Sequence, residues 1–90
     1  MAVMADVPYS HLFPGVVIEA PDRADEFDLR FADGSRASAG LLSDDAGGHA
    51  LEVGAYRTAA GTEMRERIWT VRAIEPHGEG RRIKLGPALP

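Results

Sequence analysis

Apolar and polar residues alternate along most of this chain with a period of two, and no stretch sustains the 3.6-residue period of an amphipathic helix. The clearest case is Phe27-Asp28-Leu29-Arg30-Phe31, where two aromatics and a leucine share one face and the charged residues share the other. Val16-Val17-Ile18 reads as an earlier strand, after an irregular entry containing Pro8 and Pro14. Leu51, Val53 and Ala55 form the inward set of a strand over 49–56, as Ile83 and Leu85 do over 81–85. Turn signals separate these runs: Pro21 to Asp25, Ala32-Asp33-Gly34, the polar Ser43 to Gly48, Thr58 to Thr62, and Pro76 to Gly80.

Parity selects one turn in particular. A two-residue Asp33-Gly34 loop would oppose Leu29 to Ser38 and mix the two faces of the hairpin. A three-residue loop with Gly34 in the left-handed conformation opposes Phe31 to Ser35, Leu29 to Ala37 and Phe27 to Ala39. It is the expected turn, because small residues then lie under the aromatics. Gly54, inside a strand, marks a bulge or a close backbone approach.

The run from Met64 to Glu75 carries a double pattern. Trp69, Val71 and Ala73 share one face, while Ile68 and Ile74 lie on the other. A strand apolar on both faces is central in a covered sheet or lies at an interface. Its register decides where Trp69 goes. A two-residue Ala60-Gly61 loop opposes Glu52 to Trp69 and turns the indole outward beside Arg65 and Arg67. A four-residue loop opposes Val53 to Trp69 and puts it in the core. The second buries more apolar surface, so a core Trp69 is expected.

Six short strands between such turns predict an all-β chain: an antiparallel meander closed into a small barrel of SH3-like or OB-like size, or a compact sandwich. The domain is expected over 15–86, with an irregular segment at 1–14 packing on it or extending from it, and a tail at 87–90. Ninety residues suffice for one core only.

Composition narrows the function classes. At 44% apolar and 27% charged residues the chain reads as globular. Without cysteine it has no disulfides, thiolate-zinc sites or thiol nucleophile, which favours a reducing, cytoplasmic setting. The first residues lack the pattern of a signal peptide, and no apolar run is long enough to span a membrane. Nine of the ten basic residues are Arg, and the abundance of Ala and Gly beside them suggests a GC-rich bacterial coding sequence.

The net charge of −4 is unevenly spread. Residues 1–55 carry ten acids against three arginines, and residues 56–90 carry seven basic groups against four acids. Acidic and basic strands lying side by side are the simplest account of that split.

Candidate chemistry is sparse. His11, His49 and His77 sit in or beside loops near Asp44, Asp45 and Glu79, but no metal-ligand spacing joins them, so no metal and no cofactor is expected. Ser43, Asp44 and His49 supply the residue types of a hydrolytic triad without its geometry, and no helix follows Gly47-Gly48 or Gly78-Glu79-Gly80 to cradle phosphate. Enzymatic activity is therefore not the favoured expectation.

The richest group is aromatic and basic: Tyr56, Arg57, Arg65 and Arg67 around Trp69, with Arg82 on the next strand. The leading expectation is a non-enzymatic binding or protein-interaction module, with self-association as one form, because β-apolar surface at Ile68 and Ile74 needs a cover. Either an N-terminal segment containing Tyr9, Leu12 and Phe13 or a second subunit would provide it. A ligand-binding barrel or enzyme with Asp44, Asp45, His49 and Arg57 at its mouth is the alternative. Single-strand nucleic-acid binding through Tyr56, Arg65, Arg67 and Arg82 is a third reading, opposed by the acidic total. No membrane partner is expected.

Overall fold

A computed structural model describes residues 4–20 and 24–90; part of the turn expected at Pro21–Asp25 lies outside them. All regular structure among the described residues is β. Nine strands follow in order: β1 (Met4–Val7), β2 (Val17–Ala20), β3 (Glu26–Phe31), β4 (Arg36–Ser43), β5 (His49–Val53), β6 (Tyr56–Arg57), β7 (Glu63–Met64), β8 (Arg67–His77) and β9 (Gly80–Ala88). Seven close into a barrel in the order β1-β2-β9-β8-β5-β4-β3, and β6-β7 form a separate two-stranded arm. Closure leaves the barrel without a free sheet edge.

The interior is filled by the alternate, inward residues of all seven barrel strands. Leu29, Leu51, Ile83, Leu85 and Ile18 are fully buried, and Phe27, Phe31, Val53 and Trp69 complete the same cluster. Phe27 opposes Ala39 and Leu29 opposes Ala37, as parity predicts. The Phe31 amide donates to the Ser35 carbonyl across a three-residue loop, with Gly34 at φ +89°. Only a left-handed residue closes that loop, and glycine adopts the conformation without a Cβ clash.

The barrel is not a simple meander. Met4–Val7, within the segment expected to be irregular, is a strand: it pairs in parallel with β3 and touches β2 at Asp6↔Glu19. Ala5 and Val7 face the core. The expected tail is also ordered as strand as far as Ala88, where it opposes Trp69.

Trp69 is in the core, 6% exposed, as expected, but through a different register. It opposes Leu51, because the loop Thr58–Thr62 has five residues, with Gly61 at φ +89°. This register keeps the parity of the four-residue alternative, so the same faces turn inward. The expected strand 49–56 breaks at Gly54-Ala55, leaving Ala55 exposed rather than inward. Gly54 is the anticipated close approach: its amide donates to the Ser38 carbonyl, and a Cβ there would stand 2.6 Å from Ser38 Oγ. The last hairpin is tighter than expected, since Pro76↔Arg81 and His77↔Gly80 pair and only Gly78-Glu79 turn.

The double apolar pattern of β8 has an internal solution. Trp69 opposes Ala88, Val71 opposes Leu85 and Ile74 opposes Ile83, with register shifts on both sides of Val71. One extra residue on each strand reverses the parity. Val71 and Ile74 therefore both pack against the core. The N-terminal segment buries Leu12 in the core and packs Phe13 against it.

The charge split also resolves as adjacency. Arg82 of β9 pairs with Glu19 at 3.3 Å, and Arg81 lies 3.7 Å from Asp25 while donating to the Ala24 carbonyl.

Candidate functional site

The barrel's outer surface holds a groove of about 970 Å³ across β3, β1, β2, β9 and β8. Register explains its composition. Glu75, Arg82, Glu19, Asp6 and Arg30 are successive cross-strand partners, so a single charged row crosses all five strands. Two residues along lies a second row on the same face: Ala73, Lys84 and Val17. Pro8, Ala32 and Gly34 extend this second, mainly apolar floor.

The charged row is internally paired. Asp6 and Glu19 stand directly opposite each other, a repulsive juxtaposition in a sheet. Each is neutralised from the other side: Arg30 binds Asp6 at 2.8 Å and Arg82 binds Glu19 at 3.3 Å. All four side chains are half exposed, so each pair contributes at most about 1 kcal/mol and serves chiefly to hold the rim in place. Lys84 has no ion-pair partner among the described residues.

The other outer face carries opposite chemistry. Glu26, Asp28, Glu52 and Glu66 surround a shallower trough of about 480 Å³, floored by Ser38, Gly40 and Gly54. Cross-strand register assembles it from Glu26↔Gly40↔Glu52 and Asp28↔Ser38.

The residues singled out by sequence separate into three places. Tyr56, Arg65 and Arg67 come together with Trp69 at a small pocket of about 210 Å³ at one end of the barrel. Tyr56 stacks on Phe31 with ring centroids 4.6 Å apart. Its hydroxyl is buried without a hydrogen-bond partner, and burial, with the Asp33 charge, holds its pKa above the ordinary value. Trp69 is walled into the core and offers no stacking platform to solvent. Arg57 pairs with Glu63 across the β6-β7 arm, and Arg82 belongs to the groove.

Asp44 and Asp45 occupy the β4-β5 loop, His49 opens β5, and none of the three lines these concavities. Ser43 Oγ and His49 Nδ1 are 3.0 Å apart, but Asp44 accepts from the Ala46 and Gly48 amides and closes its own loop instead of orienting the imidazole. Arg57, the fourth residue of the alternative mouth site, likewise lines none of these three concavities. No three His, Asp or Glu side chains among the described residues converge as a metal site, and no helix is long and apolar enough to cross a membrane.

Asp33 locks the β6-β7 arm to the barrel. Its carboxylate accepts from the Ser35 hydroxyl, the Ser35 amide and, across the arm, the Ala59 amide at 3.0 Å. These bonds, the Ser35 hydroxyl foremost, hold its pKa below the ordinary carboxylate value. A depressed carboxylate stabilises the fold above its unfolded pKa, and that contribution is lost as pH falls through the folded value. The expected result is an Ala59 amide protected from hydrogen exchange at neutral pH, with that protection kept through the ordinary carboxylate range and lost only at more acidic pH. Asp33→Ala should lose that protection at neutral pH, with the amides of β5 unaffected.

No protein-family model matches the sequence, and neither a curated protein nor a solved structure matches the chain.

Proposed function

We propose that this protein is a non-enzymatic binding module that takes an extended segment of a partner polypeptide in the outer groove. The carrying observation is the uncovered apolar floor of Val17, Ala73, Pro8 and Ala32 beside a row of charges of both signs. Val17 is 36% exposed there, in a domain that otherwise buries most of its large aliphatic side chains. A peptide lying along the floor gains from apolar burial and meets charges already held in position. Lys84, without an ion-pair partner among the described residues, favours a segment carrying an Asp or Glu beside its apolar residues.

The mixed charge discriminates against other partners. Asp6, Glu19 and Glu75 offset Arg30, Arg82 and Lys84, so the groove offers a phosphate backbone no net positive charge, and the acidic trough would repel one. Ile74 turns inward against the core, while Ile68, opposite Glu52, stays partly exposed.

Random peptides displayed on phage and selected against the wild-type chain should enrich sequences that combine apolar residues with an acid. Ala73→Arg, which places a long side chain on the floor at an outward position, should bind them at least about tenfold more weakly, a difference of about 1.4 kcal/mol. Its unfolding transition should be unchanged. Enriched peptides that bind Ala73→Arg equally well would refute the groove as the site.

A further inference from the structure

The pocket at the barrel mouth shares no lining residue with the groove. Arg67 opposes Val53, which is 2% exposed, and stands two residues before Trp69. It therefore occupies a core-facing position of β8 at the point where the barrel opens to solvent. Arg65 lines the same pocket from the segment before β8, and Leu12, Met64 and Trp69 provide apolar and aromatic walls. Neither arginine has an ion-pair partner among the described residues, whereas Arg30, Arg57, Arg81 and Arg82 each do. Glu66, which lies between the two in sequence, lines the acidic trough instead.

We infer that this pocket binds a small carboxylate with a compact apolar body. A guanidinium stays charged at every relevant pH and matches a carboxylate with two parallel N–H donors. The apolar body would lie against Met64 and the small exposed edges of Trp69 and Leu12. A volume of about 210 Å³ lies below the usual span for drug-sized ligands and suits a molecule of few heavy atoms, not a nucleotide. The competing account is that both arginines only lay their aliphatic stems over an apolar opening, which needs no anion.

Trp69 is the single tryptophan and lines the pocket, so its fluorescence reports occupancy directly. The full chain is titrated with hexanoate, and separately with hexan-1-ol, at constant ionic strength. Hexanoate should give a saturable change in Trp69 emission that hexan-1-ol does not reproduce. Arg67→Gln should weaken it roughly tenfold, the loss of one charge-assisted contact, and Arg65→Gln should weaken it too. Arg36→Gln, at an exposed arginine on β4, should leave it unchanged, and coincident circular-dichroism spectra certify that the variants fold. Equal responses to hexanoate and hexan-1-ol, no saturation, or an undiminished response in Arg67→Gln would overturn the assignment. Loss of peptide binding in Ala73→Arg with hexanoate binding retained separates this site from the groove.

Discussion

Trp69→Ala is expected to cost roughly 4 kcal/mol of folding stability, within the range for truncating a large buried aromatic. The indole is 6% exposed, lies opposite Leu51 and Ala88, and fills the interior where β5, β8 and β9 meet. A closed barrel relaxes poorly around such a loss, because each wall strand is hydrogen-bonded on both sides. A domain of this size has a total stability on the order of 5–13 kcal/mol, so one substitution removes a large share of it. Urea unfolding followed by circular dichroism measures the effect. Leu42→Ala, at a residue 44% exposed, is the comparison and should change stability by less than about 1 kcal/mol. Similar losses for the two variants would contradict a core Trp69.

Gly86→Ala should also destabilise, by about 2 kcal/mol, although it adds only a methyl group. Gly86 is buried where the β8-β9 register shifts, and a Cβ there would stand 2.5 Å from Thr70 Oγ1 and 3.3 Å from Arg72 Cγ. The Thr70 hydroxyl donates to the Pro87 carbonyl at 2.8 Å, so it cannot swing aside without breaking that bond. The penalty is therefore steric and belongs to the pair. Adding Thr70→Ala to Gly86→Ala should recover a measurable part of the loss, with a coupling of about 1 kcal/mol in a double-mutant cycle. Additive losses would show that the strain lies elsewhere.

The parts of the barrel legible in the sequence are those fixed by local parity. Phe27, Leu29 and Phe31 alternate cleanly, and small residues follow at the matching positions, so the β3-β4 hairpin and its glycine turn could be read directly. The core position of Trp69 followed from burial, even though the loop length behind it did not. A shift of register by two leaves every face unchanged, which is why the reading of the face outlived the error in the register.

What was not legible is non-local or depends on single residues. β1 contributes only Ala5 and Val7 to the core, too short a signal to stand out, and its parallel partner β3 begins some twenty residues downstream. The two bulges beside Val71 each insert one residue, and no propensity marks them, so Ile74 was assigned to the wrong face. The groove draws its charged row from Asp6, Glu19, Arg30, Glu75 and Arg82, five strands scattered over the chain. Only the closed topology brings them side by side. Tyr56, Arg65 and Arg67 lie together because they flank one hairpin, a local arrangement that survives folding.

The groove as a peptide-binding surface is the central claim, and amide chemical-shift mapping with a groove-selected peptide tests it most directly. Perturbed amides should concentrate on Asp6, Val17, Ala32, Ala73 and Lys84, while Glu52 and Glu66 at the acidic trough stay unshifted. Perturbations centred on the acidic trough or on the barrel mouth, with the groove silent, would contradict it.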